Sequence, residues 1–453
     1  MRLTLADSLR HPVSAIGIAL TTASALLFLA LFTAHMFGFL QNPYVGILLF
    51  ILIPIVFVIG LLMIPAGLSL NRRREAAGFP ARRWPTLDLN QPAQARMAVF
   101  AVAATFVNVI ILSMASYGAV QYSDSTAFCG QVCHTVMQPE FVAHGAGPHA
   151  RIECVTCHIG PGAGGFVTAK LNGTRQLWLV TTGGYAKPIP EPIDRLPPVS
   201  ATCQQCHRPD RFIGDRTDVI YEHANNAAST ETRTKVTLHV GGPMGTPGGR
   251  TGIHWHTNPA NVVEYVALDD KRDPIPYVRV TTPDGRVREF FADGANQSDL
   301  RTRPLHRMDC LDCHNRPAHT FAASAEREVD AAIGRGLISP KIPFIRREAV
   351  RVLNVAYPSQ EAAVAGIDRQ LRAAIGGQRV GGYSAGDLQR AIAATQDIYR
   401  VNVFPSMKVA WGTYPNQLGH IVSNGCFRCH DDSHKSRDGM AISQDCELCH
   451  AID

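Results

Sequence analysis

The sequence predicts a membrane-anchored chain in two unlike parts. Three transmembrane helices come first, and a mostly α-helical and loop-built body with a small β region follows outside the membrane. Two observations predict this. Three long apolar runs lie before residue 120, and the remainder is polar and rich in Gly and Pro. All 12 Cys lie beyond residue 128, in pairs, and every pair is followed directly by His.

The apolar runs cover roughly Val13 to Leu40, Tyr44 to Leu70 and Met97 to Tyr117. Each is long enough for a bilayer core, which takes about 20 helical residues. Pro54 lies in the second run and is expected to kink it. The first run is too long for a cleaved signal peptide, and a second span follows almost at once. The loop after span one has no Lys or Arg, whereas the loop after span two carries Arg72, Arg73, Arg74, Arg82, Arg83 and Arg96. Positive loops stay on the cytoplasmic side. Arg2 and Arg10 put the N-terminus there too, so everything after about residue 118 is expected in the periplasm of a bacterial inner membrane.

Five regions are expected: an anchor (1–122), a loop-rich three-site domain (123–210), a mixed β and loop region with a fourth site (211–320), a Cys-free helical region (321–402) and a two-site C-terminal segment (403–453). Strands are expected at Val262 to Ala267, Tyr277 to Thr281 and Arg286 to Phe291, with a turn at Pro283-Asp284-Gly285. Helices are expected at Ala323 to Arg335, Phe344 to Ala356, Gln360 to Ile375 and Ala385 to Arg400, where apolar residues recur every three or four positions.

Cysteine chemistry decides the function class. Neither a disulfide framework nor a zinc ribbon needs His after each second Cys. Covalent haem attachment does: both thiols add to the haem vinyl groups, and the adjacent imidazole reaches the iron. Five pairs have the standard spacing: Cys154/Cys157/His158, Cys203/Cys206/His207, Cys310/Cys313/His314, Cys426/Cys429/His430 and Cys446/Cys449/His450. In the first pair, Cys129 and Cys133 before His134, three residues separate the thiols. It is either a sixth haem site or a free dithiol or disulfide, so the count is six haems or five. The net charge of +6 sits largely in one interspan loop and does not point to nucleic acid.

Second iron ligands must come from the remaining His. His144, His149, His223, His239, His254, His256, His306, His319, His420 and His434 follow the anchor and lie outside the motifs. The best distal candidates are His149, His239, His254, His256, His306, His319, His420 and His434. Met137 is an axial ligand of the first haem or a plain apolar contact. Two His ligands leave no open iron position and favour electron transfer over substrate binding.

The stretch from Phe128 to His207 resembles the membrane-bound quinol dehydrogenases of the NapC/NirT type. The matching pieces are Cys133-His134-Thr135-Val136-Met137-Gln138-Pro139-Glu140, Gly147-Pro148-His149-Ala150, Gly160-Pro161-Gly162 after the second site, Lys170-Leu171-Asn172-Gly173, and the third site. The whole chain resembles, more loosely, the larger three-span inner-membrane multihaem cytochromes of metal-respiring bacteria. The resemblance implies that menaquinol is oxidised at the first haem, with Lys170 lining the quinol pocket. Arg175 and Gln176 stand where related chains carry an Asp, which adds Gln176 to the expected quinol site. The expected partners are the menaquinol pool, membrane lipid, and periplasmic cytochromes or a reductase. Two other readings are a terminal reductase of nitrite or hydroxylamine, and a haem-relay subunit of a larger complex.

Overall fold

The computed structural model describes residues 11–36, 48, 52–79, 88–132, 134–159, 163–190, 196–241, 252–376 and 382–452. The chain divides into two compact units, Met1–Ser125 with Ile159–Arg175, and Thr126–His158 with Gln176–Asp453.

In the first unit, α1 (Pro12–Met36), α2 (Ile53–Ala76) and α3 (Pro92–Asp124) occupy the three apolar runs. Among the described residues, α2 is the helix long and apolar enough to cross a membrane, and Pro12–Phe28 is a shorter apolar segment. Small residues let α1 and α2 approach closely. A Cβ on Gly60 would stand 2.6 Å from Thr21 Oγ1, and one on Gly67 would strike Ser14. The Ser14 hydroxyl crosses the interface and donates to the Ile64 carbonyl at 3.0 Å. This is the small-residue packing expected where lipid removes any hydrophobic drive between helices. Pro54 stands where the chain passes from a π-helical Leu52 into α2, which begins at Ile53. Pro65 is the internal proline.

The second unit is not loop-rich at its start, as the sequence suggested. α4 (His134–Ala146) precedes the second motif, and α5 (Ala163–Thr182) follows it and ends within this unit. The apolar residues of α5 make no single buried stripe: Leu171, Leu177 and Trp178 are all exposed. A period search therefore passes over it.

Two antiparallel sheets follow. β1 (Gly214–His223) and β2 (Glu231–Gly241) form a long hairpin, and β3 (Val262–Val266), β4 (Tyr277–Thr281) and β5 (Val287–Phe291) form a meander. β6 (His306–Arg307) and β7 (Lys435–Ser436) border the meander, and β8 (His450–Ile452) joins β2. β1 is exposed over its first six residues, whereas β2 is mostly half-buried and alternates Val236, Leu238 and Val240 with Lys235, Thr237 and His239; neither strand is among those expected. Their register matters: His450 pairs with Leu238, and the His239 N–H donates to the Cys449 carbonyl at 2.8 Å. The hairpin thus fixes the last Cys-His pair.

The helices α6 (Ala325–Gly334), α7 (Ile345–Leu353), α8 (Gln360–Ile375) and α9 (Ala385–Asn402) form a Cys-free bundle. Ser324, Ser359 and Ser384 cap three of them through their hydroxyls, the last in a capping box with Asp387. Its core is the largest apolar cluster among the described residues and includes Val329, Ile345, Ile367, Leu371 and Tyr399.

Gly60→Leu is expected to force α1 and α2 apart at a cost of about 1–3 kcal/mol. Unfolding of the detergent-solubilised protein checks this, with exposed Leu62→Ala as the near-neutral control.

Candidate functional site

Each standard motif folds into one tight turn. Cys203–Gln205, Cys310–Asp312, Gly425–Arg428 and Cys446–Leu448 are 3₁₀ turns, and Cys154–His158 is one helical turn. In three of them the His N–H returns to the first Cys carbonyl: His207 to Cys203 at 2.8 Å, His314 to Cys310 at 2.8 Å and His430 to Cys426 at 3.0 Å. Asp309 and Asp445, each directly before a motif, cap their turns by accepting from the Leu311 and Glu447 N–H groups at 2.8 and 3.0 Å. The sequence reading overlooked both, although an Asp before the first Cys is itself a turn-start signal.

The second unit encloses one continuous cavity of about 1820 Å³. Ordinary single-ligand sites occupy about 300–1,000 Å³. Thiols from the second to the sixth motif and the imidazoles His149, His254, His256 and His420 reach its wall. The thiols follow one another in chain order. Cys154 accepts from Cys129, a bond that lowers its thiol pKa to about 6. Cys157 feels the charge of Cys203, Cys310 that of Cys203, Cys313 that of Cys426, and Cys449 that of Cys426. Burial first, then these neighbours, pushes Cys310 up to about 11 and Cys313 up to about 12. Burial also takes Cys429 to about 12. Such thiols remain neutral and are not poised as redox nucleophiles.

Imidazoles meet in facing pairs, three of them at the wall of this cavity. Ring centres lie 6.1 Å apart for His158 and His319, 6.0 Å for His149 and His207, 5.8 Å for His256 and His430, and 6.1 Å for His420 and His450. Metal–imidazole bonds of about 2 Å on either side of one ion, plus the half-widths of two rings, span roughly this distance. His254 is close enough to His314 to lower that ring's pKa, behind the larger effect of burial.

The incoming rings are also turned correctly. His149 Nδ1 donates to the Pro317 carbonyl at 3.0 Å, His254 Nδ1 to Val240 at 2.9 Å, His256 Nδ1 to Ile253 at 2.8 Å and His319 Nδ1 to Glu140 at 3.0 Å. A carbonyl only accepts, so Nδ1 carries the proton and Nε2 keeps its lone pair for a metal. Burial pushes His319 down to about 4 and His256 in the same direction. Both rings are therefore neutral near pH 7, as a ligand must be. His420 has another support, stacking on Phe427 with ring centres 4.2 Å apart.

The remaining expected residues fall elsewhere. His434 is corrected: its Nδ1 faces Asp431 at 2.8 Å and its Nε2 faces the Ile275 carbonyl at 2.6 Å, so both nitrogens are engaged and none is left for iron. His239 holds Asp215 at 2.9 Å, and His306 packs on Tyr265 with ring centres 5.7 Å apart. His223 lies between Asp330 and Glu231, and His144 Nε2 donates to the Ile152 carbonyl at 3.1 Å. Met137 is half-buried in α4, and Gln176 is exposed on α5. Cys133 lies outside the described residues, as do the side chains of His134 and Lys170.

The donor set fits covalently attached haem: paired thiols, an adjacent imidazole, a facing imidazole of fixed tautomer and a large cavity. No family model and no solved structure matches the chain. It is 40% identical over 453 residues, 99% of its own length and 89% of the relative's, to the cytochrome c-type protein ImcH of Geobacter sulfurreducens.

His256→Ala is expected to leave one iron without its sixth ligand, seen as a high-spin, CO-binding fraction in the absorption spectrum. His434→Ala should leave the low-spin spectrum as it was.

Proposed function

The chain belongs to the family of this c-type cytochrome, and from that premise we propose that it is a six-haem relay, oxidising menaquinol at the membrane and passing electrons to a periplasmic acceptor. The observation that carries the relay is the row of facing imidazoles along motifs whose thiols adjoin in chain order.

In this reading the second to sixth motifs anchor one haem each. The iron ligands are His158 with His319, His207 with His149, His314 with His254, His430 with His256, and His450 with His420. Cys129, Cys133 and His134 hold the first haem, with Met137 as a candidate axial ligand. Each bound haem supplies an iron that takes up and returns one electron. The chain's residues do the rest. Two imidazoles per site would hold the iron and leave substrate no place on it. The Nδ1–H···O=C bonds hold the rings so that little reorganises when charge changes.

The quinol end rests on the resemblance, on α2 as an apolar anchor, and on Cys129 following the end of α3 by only a few residues. Three spans with the Arg-rich loop inside place the body in the periplasm. Lys170 would orient the quinol ring with Gln176 nearby, and quinol protons would leave to the outer solvent. A haem-bearing subunit of a larger complex would use the same relay. The facing imidazoles count against a small-molecule reductase.

The intact protein should weigh more than its amino acids by six haems, and Cys129→Ala with Cys133→Ala should remove one of them, as read by mass spectrometry. Lys170→Ala should slow reduction by a menaquinol analogue in proteoliposomes by about tenfold, the order of one lost positioning contact, and leave dithionite reduction unchanged. A parent protein that menaquinol cannot reduce would end the quinol reading and leave the relay standing.

A further inference from the structure

Arg428 stands inside the fifth motif, between Phe427 and Cys429, and Asp312 inside the fourth, between Leu311 and Cys313. The guanidinium of Arg428 joins them. Its Nε donates to the Gly425 carbonyl at 2.8 Å, Nη1 to the Arg272 carbonyl at 2.9 Å and Nη2 to the Asp312 carbonyl at 2.6 Å. Among the described residues these hydrogen-bond acceptors are neutral carbonyls, so no carboxylate hydrogen-bonded to it cancels its charge. Beside it the Asp312 carboxylate is buried and already matched: it accepts from Arg272 Nη1 at 2.7 Å, from the Tyr265 hydroxyl and from the Asp309 N–H at 2.7 Å. Asp309, next along, is held toward its neutral form by burial and by Asp312. Arg428 belongs to the fifth motif and its bond to the Asp312 carbonyl reaches into the fourth, so one cation touches both.

We propose that Arg428, locked by three carbonyls and flanked by the Arg272–Asp312 pair, is a fixed positive charge between the fourth and fifth haem sites that raises both reduction potentials and makes this pair the resting place of electrons in the relay. The inference rests on the haem relay proposed above. An added electron is stabilised by a cation fixed nearby and half-buried, as Arg428 is, and net charge is among the protein's main controls of haem potential. Each site gains one electron and needs no proton, because a guanidinium is charged at any relevant pH. Arg428 is a positioning and tuning residue, not a ligand.

The test is a spectroelectrochemical titration of the full-length, detergent-solubilised protein, with haem content checked by mass. Arg428→Gln should shift two potentials downward and leave the others, whereas Arg428→Lys, which keeps the charge, should stay near the parent. Full haem content with unmoved potentials in Arg428→Gln, or a shift spread evenly over every haem, overturns the proposal. If Arg428→Gln loses haem, Asp312→Asn decides with the opposite sign: the same two potentials rise, and no rise overturns it. A parent protein lacking covalent haem would sink the relay itself, which differs from a loaded protein whose potentials ignore Arg428.

Discussion

The body depends on one repeated interaction: an imidazole Nδ1–H donating to a backbone carbonyl. A free imidazole rotates and offers either nitrogen. Tying Nδ1 to Pro317, Val240, Ile253 or Glu140 settles the tautomer and the ring plane together. The four carbonyls come from four different stretches of chain, so the elements that carry them must be placed before the rings can point correctly. Packing and hydrogen bonding therefore serve the geometry of the cavity wall.

The helical bundle shows how. It contains no Cys, and its core closes on itself. Its far end continues into a second cluster in which Phe404, Met407 and Tyr414 pack against Phe321 and against Val136 and Ala143 of α4. Asn402 accepts from the Ala322 N–H at 2.8 Å, Asn315 donates to the Pro415 carbonyl at 2.7 Å, and Arg316 lies 3.5 Å over the Tyr414 ring. The segment between Asn315 and Ala322 is thus held from both sides, and His319 projects from it. The bundle thus buttresses the loop that carries His319.

The sequence made some of this plain. The five standard Cys-x-x-Cys-His motifs announce their chemistry because nothing else needs that spacing, whereas the wider Cys129/Cys133 pair leaves two readings open. The bundle helices run within a few residues of the periodic segments because each buries one apolar stripe. Other features follow rules that a period search does not test. The β1–β2 hairpin alternates only over Lys235 to Val240, a stretch short enough to pass over, yet its register with β8 secures His450. The packing of α1 on α2 is written in Ser14, Gly17, Thr21, Gly60 and Gly67, which look like gaps in an apolar run and are in fact the contact. His434 could not be separated from the other candidates by composition. Only its two nearby acceptors, Asp431 and the Ile275 carbonyl, remove it.

Electrostatic neighbours among the thiols follow chain order: Cys157 and Cys310 each feel Cys203, and Cys313 and Cys449 each feel Cys426. Between the fourth and fifth motifs, buried Asp312 and Tyr265 join half-buried Arg272 and Arg428 in one polar network, and burying charges is costly unless every partner is supplied. A network so fully supplied, where ordinary apolar packing would hold the same turns more cheaply, points to the field it creates rather than to the holding of the turns.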